Sequence, residues 1–206
     1  MKVRGLDIDI VDEVPSTAFL HANIDTWEQD TFDVIDAFVN GGVFVDIGAH
    51  VGVFSLYAAP RAKYVIAVEP DPVAFDMLER NIAANGATNI TAINAAVWDR
   101  GGQVLLRAHE EGLGSSMTGP SRTGKAIFVD AITPENLAGY FEGQTIDLIK
   151  VDTEGSETHI VPGILGWDAP IHLSLHIAEM DGPISYGDRN PQTLVDHPNY
   201  PVVWLP

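Results

Sequence analysis

Short apolar runs alternate with amphipathic segments along most of the chain. Runs rich in β-branched residues at 43–46, 64–68, 146–151 and 171–177 are separated by segments whose apolar residues recur at helical spacing. Strands that are apolar on both faces are typical of a parallel sheet covered by helices on both sides. The pattern therefore predicts an α/β protein with a doubly wound, mostly parallel sheet.

Apolar and acidic residues alternate in residues 1–26, which predicts a strand or hairpin extension before one main domain at 27–206. Beyond residue 178 only 201–205 resembles a strand, so the C-terminal end of the sheet looks abbreviated. The other elements expected are helices at 27–39, 73–86 and 134–141, and strands at 90–97, 103–107 and 126–132.

A glycine-rich turn follows the run at 43–46 and is a candidate ligand cradle. Gly48 can adopt backbone angles that other residues avoid, and Gly52 lets a helix start, with free N–H groups, approach a ligand closely. Asp46 is an acceptor at the strand end and suits a cationic group better than a pyrophosphate. The turn lacks the third glycine of the dinucleotide fingerprint. S-adenosylmethionine, which carries an ammonium and a sulfonium, is therefore predicted rather than NAD.

A second acidic residue, Glu69, ends the run at 64–68. It lies about 20 residues beyond the glycine turn, the separation at which an acidic residue binds ribose hydroxyls. A role in capping the following helix is compatible with this one. The small residues around Asn94 and Ala96 leave room for an adenine ring, or serve ordinary packing.

The run at 146–151 carries charge where a buried strand should be apolar. Lys150 and Asp152 lie on the same side by the two-residue period of a strand. Buried charges are costly unless they are paired or solvated in a cleft, which favours a functional site here. Because parallel strand ends share one crevice, four side chains are expected near one another: Asp46, Glu69, Asp152 and His176.

Charge and composition narrow the possible partners. The formal net charge is −18 and no basic cluster occurs, which argues against binding to nucleic acid or to anionic membranes. The absence of cysteine excludes disulfides, zinc–thiolate sites and thiol nucleophiles. No apolar run approaches the length of a membrane span and no signal peptide is evident, so a cytoplasmic protein is expected.

Three of these segments together resemble the FkbM family of S-adenosylmethionine-dependent methyltransferases. VDIGAHVG at 45–52 is similar to the family's glycine motif, although His50 replaces the usual asparagine. VEP at 68–70 resembles its ribose-binding strand end, and DLIKVDTEGSE at 147–157 resembles its hallmark D-L-I-K-x-D-x-E-G-x-E. The resemblance implies a Rossmann-like class I methyltransferase fold and methyl transfer to a hydroxyl of a sugar or small metabolite.

The site assignments follow from these motifs and from the chemistry of methyl transfer. His176 is the candidate general base because its ordinary pKa is near neutrality. Asp152 or Glu154 is expected to orient the acceptor or the histidine, and Lys150 to keep a carboxylate ionised. The predicted cofactor-binding residues are Asp46, Gly48, Ala49, His50, Gly52, Glu69, Pro70, Asn94, Ala96 and Asp152.

Three alternatives stay open. One is a divalent metal held by Asp152, Glu154, Glu157 and His176. The others are a nicotinamide-dependent oxidoreductase and a binding module without catalytic activity. Residues 110–125, rich in glycine and serine, are expected to lack a core and to form a lid, a substrate loop or an inert loop. The histidines expected at the surface or in ordinary packing are His21, His109, His159, His172 and His197.

Overall fold

Helices and strands alternate along the chain in a computed structural model, which describes residues 1–11, 15–109, 112–118, 126–176, 180–196 and 201–206. The strands are β1 (Lys2–Val3), β2 (Leu6–Asp7), β3 (Val43–Ile47), β4 (Tyr64–Val68), β5 (Ile90–Ile93), β6 (Ala96–Val97), β7 (Gly102–His109), β8 (Gly112–Thr118), β9 (Ala126–Ile132), β10 (Ile146–Val151), β11 (Ile171–Ser174), β12 (Gln192–Val195) and β13 (Val202–Leu205). The helices are α1 (Pro15–Asn23), α2 (Gln29–Phe38), α3 (Val53–Ala58), α4 (Pro72–Ala84), α5 (Pro134–Ala138) and α6 (Glu157–Ile164), with a 3-10 turn at Gly139–Phe141.

A seven-stranded sheet lies at the centre of the protein. Its strand order is β12-β13-β11-β10-β3-β4-β5, and the five strands from β11 to β5 are parallel. All five residues of β3 are buried, as expected for a central strand covered on both faces. The predicted α/β fold with a doubly wound, mostly parallel sheet is confirmed.

Helices cover the two faces of this sheet with separate apolar cores. Phe44 and Leu148 point to the face where Phe32 of α2 and Phe54 of α3 pack. The alternate residues of the same strands, such as Val45, join the core on the other face, where α5 and α6 pack. The two-residue period of the strands therefore divides the side chains between two cores.

The register of the parallel strands places two rows of residues, most of them ionisable, at the carboxyl ends of the strands. Lys150 pairs with Asp46 on one side and with His172 on the other, and we call these three residues the inner row. The last paired residues of β3, β4 and β10 are neighbours, so the residues that follow them leave the sheet side by side. We call these residues, Gly48, Glu69 and Asp152, the edge row.

A second sheet has four strands in the order β6-β9-β7-β8. It corrects two expectations. The single strand predicted at 90–97 is two strands, β5 and β6, which belong to different sheets. Residues 112–118, predicted to lack regular structure, form β8 and pair with β7. Residues 110–111 and 119–125 lie outside the described residues.

The two ends of the chain also differ from expectation. The C-terminal end of the central sheet has two antiparallel strands, β12 and β13, so the expectation of an abbreviated end was wrong. Every residue of β12 is exposed, which explains why no apolar pattern marks it in the sequence. Near the N-terminus, α1 follows the hairpin of β1 and β2 and was not predicted. None of the described helices is long and apolar enough to cross a membrane.

Candidate functional site

A cavity of about 310 Å³ opens at the carboxyl ends of β3, β4 and β10, beside the edge row. This volume suits one ligand the size of a nucleoside cofactor. Of the residues predicted from the sequence, those that line it are Gly48, Ala49, His50, Glu69, Pro70, Ala96, Lys150, Asp152 and Glu154. The structure thus brings most of the predicted set together, whereas Asp46, Gly52, Asn94 and His176 are not among the lining residues.

The glycine turn is shaped by packing within the protein. Gly48 and Gly52 both have left-handed backbones, with φ of 81° and 89°. A Cβ at Gly48 would overlap the carbonyl of Asp152, and one at Gly52 would overlap Leu78. The backbone N–H groups of Gly48 and Ala49 donate to the Val68 carbonyl at 2.9 and 3.0 Å. The N–H groups of Gly48 and Ala49 are therefore used within the protein, and the role predicted for the free N–H groups at the start of α3 stays a prediction.

Glu69 is held in place by the backbone around it. Its carboxylate accepts the N–H of His50 and the N–H of Asp71, each at 2.8 Å. Burial raises the pKa of Glu69 to about 7, although these two hydrogen bonds oppose the shift. The cap of α4 is Asp71, whose side chain accepts the N–H of Val73 at 2.8 Å. Glu69 is therefore a fixed acceptor on the wall of the cavity.

Asn94 holds the backbone that follows β4 without lining the cavity. Its side-chain amide donates to the carbonyl of Glu69 at 2.8 Å and to that of Pro70 at 3.3 Å. The small residues beside the cavity are its neighbours Ala95 and Ala96. Asn94 thus helps to position Glu69 without reaching the cavity itself.

The inner row contains a buried ion pair beneath the cavity. Lys150 Nζ lies 3.3 Å from Asp46 Oδ1 and 3.4 Å from Asp152 Oδ2, and it donates to the Gly48 carbonyl. Ser55 Oγ donates to the other oxygen of Asp46 at 2.6 Å. Asp46 is fully buried and is not an acceptor that faces the crevice, which corrects the position predicted for it.

The charged groups around Lys150 determine which side chains of the two rows are ionised. Burial alone would lower the pKa of Lys150, but the charges of Asp46 and Asp152 raise it above its usual range. Burial raises the pKa of Asp46, and the lysine opposes that shift. Burial would raise the pKa of Asp152 too, but Lys150 and His176 lower it. Lys150 is therefore a cation at neutral pH, with Asp46 and Asp152 as its carboxylate neighbours.

His176 lies behind Asp152 among three carboxylates. Its ring nitrogens are 3.8 Å from Asp152, 3.4 Å from Glu154 and 3.5 Å from Glu157. Burial would lower the pKa of His176, but a hydrogen bond with Glu157 and the charges of Asp152 and Glu154 raise it to about 9. A histidine protonated at neutral pH has no lone pair to accept a proton. The general-base role of His176 stays a prediction, which these surroundings oppose.

Glu157 organises the loop that follows β10. One carboxylate oxygen accepts the backbone N–H and the hydroxyl of Thr153, at 3.0 and 3.1 Å. The other accepts the N–H of Gly155 at 3.0 Å. Among the residues that the structure describes, no group of three or more histidine, aspartate or glutamate side chains is arranged to hold a metal ion.

Two histidines predicted as surface or packing residues have acidic partners. His172, in the inner row, is fully buried with Nε2 at 3.4 Å from the carboxylate of Asp30 in α2. His159 stacks on Trp98 with the ring centroids 3.9 Å apart, and Asp99 and Asp181 contact its two ring nitrogens.

Sequence reasoning missed the residues that close the cavity on the side of α1 and α2. Trp27 stacks on Phe54 at 5.2 Å between ring centroids, and both rings line the cavity. Glu28, at the start of α2, also lines it and accepts a hydrogen bond from the Thr31 hydroxyl at 3.2 Å. The pattern around Trp27 predicts a helix stripe, and no spacing in the sequence marks Glu28 as part of a site.

Comparison with known proteins adds a family to this geometry. The model of the methyltransferase FkbM domain matches residues 46–192. Methyltransferase sdnD of Sordaria araneosa is 30% identical over 154 aligned positions, which cover 58% of this chain and 59% of that protein. This chain therefore spans less than two thirds of that relative.

Solved structures share the fold. Methyltransferase FkbM from Methylobacillus flagellatus has a TM-score of 0.51 and 15% identity, covering 80% of this chain and 43% of that one. SMU.1697c from Streptococcus mutans, solved in complex with SAH, has a TM-score of 0.53 and 8% identity, covering 86% and 96%. These likenesses confirm the Rossmann-like class I methyltransferase fold.

Proposed function

Because this chain belongs to the FkbM family of S-adenosylmethionine-dependent methyltransferases, we propose that it methylates a hydroxyl of a sugar or another small metabolite. The observation that carries the proposal is the position of Glu69. Its carboxylate lies on the cavity wall, about 20 residues after the glycine turn, and two backbone N–H groups hold it there. Family membership argues against a nicotinamide-dependent oxidoreductase, and the missing third glycine agrees.

The cavity offers a matching surface for each part of S-adenosylmethionine. Glu69 would accept hydrogen bonds from the ribose hydroxyls, and Ala95 and Ala96 would leave room for the adenine ring. Asp152 supplies negative charge on the wall at the end of β10, and Glu28 adds a second carboxyl group on the wall at the start of α2. Bound S-adenosylmethionine supplies an electrophilic methyl group.

The protein's contribution to catalysis is chiefly positioning. The glycine turn is fixed by hydrogen bonds to Val68, and the loop after β10 is fixed by Glu157. Rigid walls of this kind hold two reactants in line, which by itself lowers a bimolecular barrier greatly. Trp27 and Phe54 limit the access of water on the side of α2.

The charges on the wall favour an acceptor without phosphate groups. Four acidic residues line the cavity: Glu28, Glu69, Asp152 and Glu154. Lys150, which is the one lysine among the described lining residues, contacts two carboxylates. A phosphate would therefore meet net negative charge, and the net charge of −18 acts in the same direction at long range. The proposed acceptor is a neutral small molecule rather than a nucleic acid, and the proposed location is the cytoplasm.

Calorimetric titration with S-adenosylmethionine tests the cofactor site. We expect saturable binding by the native chain and about tenfold weaker binding by the Glu69→Gln variant, since hydrogen bonds to a charged group are lost. Glu79→Gln, on the exposed face of α4, makes the same chemical change away from the cavity and should bind as the native chain does.

Activity is tested next by incubating the native chain with S-adenosylmethionine and a panel of neutral sugars and metabolites. Formation of S-adenosylhomocysteine and of a methylated hydroxyl would support the proposal. If the folded chain binds the cofactor but methylates no member of a broad panel, the binding-module alternative gains support. If it does not bind the cofactor, the proposal is wrong.

A further inference from the structure

Glu28 has a position in the cavity that the residues assigned above do not explain. It lies at the start of α2, on a different element from the predicted site residues, and its side chain lines the cavity together with Asp152. It is close enough to Asp152 for that carboxylate to raise its pKa. Two carboxylates that repel each other across a cavity favour a cation between them.

Among the described residues, the cation that acts on Glu28 is Lys150, which it shares with other carboxylates. The charged groups that act on it are Asp152, Lys150 and Asp30. Lys150 contacts Asp46 and Asp152, at 3.3 and 3.4 Å. Burial and Asp152 raise the pKa of Glu28 to about 8, even though Lys150 opposes the shift. In the ligand-free protein Glu28 is thus mostly protonated at neutral pH, and a cation bound beside it would favour its carboxylate form.

The backbone holds Glu28 in an uncommon conformation. Its φ and ψ are 44° and 46°, in the left-handed region that side-chain-bearing residues rarely adopt. Among the described residues, four that are not glycine have positive φ, and three of these line the cavity: Glu28, His50 and Glu154. Strained residues of this kind cluster at functional sites.

The order of the strands shows which part of a cofactor meets Glu28. Glu69 follows β4 and Asp152 follows β10, with β3 between these two strands. Neighbouring strands are about 4.8 Å apart, so these strand ends are separated by about 10 Å. A cofactor whose ribose binds Glu69 would extend across β3. Its sulfonium is one carbon beyond the ribose ring, so it would then lie toward Asp152 and Glu28.

We propose that Glu28, together with Asp152, forms a subsite for the positive charge at the methyl-transfer position, so that the protein binds S-adenosylmethionine more tightly than S-adenosylhomocysteine. The inference rests on the proposed function of the cavity. The sulfonium is a cation, whereas the thioether left after transfer is neutral. Loss of that charge removes the attraction to Glu28 and favours release of the spent cofactor.

Three ligands and two variants test the subsite. The ligands are S-adenosylmethionine, S-adenosylhomocysteine and sinefungin, which carries a protonated amine near the sulfonium position. Glu28→Gln should bind the two cationic ligands about tenfold more weakly and S-adenosylhomocysteine within about twofold of the native chain. Glu79→Gln controls for the loss of one negative charge, and Glu28→Asp should restore part of the preference.

The possible results separate this inference from the proposed function. An equal loss of affinity for all three ligands would mean that Glu28 has a structural role or contacts a part that the three ligands share, such as the α-ammonium group, and either result would overturn the subsite. Unchanged affinities would overturn it too. Binding of all three ligands by the native chain without preference for charge would also overturn it, while leaving the cofactor site intact. If the folded native chain binds none of the three, the proposed function fails and the subsite fails with it.

Discussion

The inner row and the edge row carry similar side chains but have different surroundings. In the inner row, Asp46 is fully buried between Lys150 and the Ser55 hydroxyl. In the edge row, Glu69 is almost as buried, but its partners are backbone N–H groups and its carboxylate lines the cavity. Burial raises the pKa of both carboxyl groups. One acid is thus part of the sheet, and the other is available to a ligand.

The difference in surroundings comes from the positions of the two acids along their strands. Asp46 pairs with Ala67 inside the sheet, whereas Glu69 follows Val68, which is the last paired residue of β4. Glu69 is therefore two residues nearer the crevice than the partner of Asp46. In this sheet, the acid that follows the end of its strand lines the cavity, whereas the acid paired within the sheet does not.

Replacement of Lys150 by Met should produce the largest effect, because it removes the cation that the two rows share. Asp46 would remain buried, with the Ser55 hydroxyl but no opposite charge beside it. Removing one partner of a buried ion pair typically costs about 3–5 kcal/mol. We expect a loss of this size in the free energy of unfolding, measured by urea denaturation at pH 7.

Lys63→Met provides the matched control for this prediction. Lys63 is exposed just before β4, and its replacement should change the free energy of unfolding by less than about 0.5 kcal/mol. A loss below about 1 kcal/mol in Lys150→Met would indicate that Asp46 takes up a proton when the lysine is absent. The inner row would then be less dependent on its ion pair than the distances indicate.

Asp46→Asn should show that the inner row affects stability and the edge row affects cofactor binding. The asparagine keeps an acceptor for Ser55 but directs an amide toward Lys150, so we expect a loss of about 1–3 kcal/mol in the free energy of unfolding. The affinity of the folded variant for S-adenosylmethionine should change by less than about threefold. Glu69→Gln should show the converse pattern. If Asp46→Asn weakens cofactor binding as much as Glu69→Gln does, the distinction between the rows is wrong.

The sequence predicts the edge row better than the inner row for a physical reason. Alternating or continuous apolar runs locate β3, β4 and β10, and the acidic residues after them mark the cavity. The pattern does not show that β3 continues through Ile47, because an apolar residue after Asp46 fits a strand or a turn equally well. The predicted strand end is therefore one residue too early, and it places Asp46 too close to the crevice.

Elements without an apolar stripe were missed for a related reason. All four residues of β12 are exposed, and pairing with β13 rather than burial defines it. Glu28 is more than 120 residues from Asp152 in the sequence, and only the packing of α2 beside β10 brings them together. Contacts of this kind depend on tertiary structure and leave no periodic signal.

Acidification should weaken cofactor binding through the edge row. Burial raises the pKa of Glu69 to about 7, so the carboxylate proposed to accept the ribose hydroxyls is mostly protonated at pH 6. We expect the affinity for S-adenosylmethionine to fall up to about tenfold from pH 8 to pH 6. Glu28 has a pKa of about 8 and adds to this fall. Calorimetry on Glu69→Gln should therefore show a smaller change of affinity with pH. An unchanged dependence of the affinity on pH would exclude Glu69 as its cause.

The smallest effect is expected from His176, which contacts the edge row through Asp152. Its pKa in the folded protein is about 9 against an ordinary 6.5, so its contribution to stability is complete below pH 6.5 and is lost as the pH rises through 9. Because Glu154 is partly exposed, we expect this contribution to be on the order of 1 kcal/mol.

Urea unfolding of the native chain and of His176→Gln between pH 6 and pH 10 measures that contribution. Glu28 and Glu69 also have raised pKa values, which make stability fall with pH in both proteins, so the difference between the two curves isolates the histidine. A difference that shrinks toward zero near pH 10 would show that His176 is a cation in the folded state. A difference independent of pH would mean that the imidazole is neutral and has a lone pair available. His176 would then regain the protonation state that a general base requires.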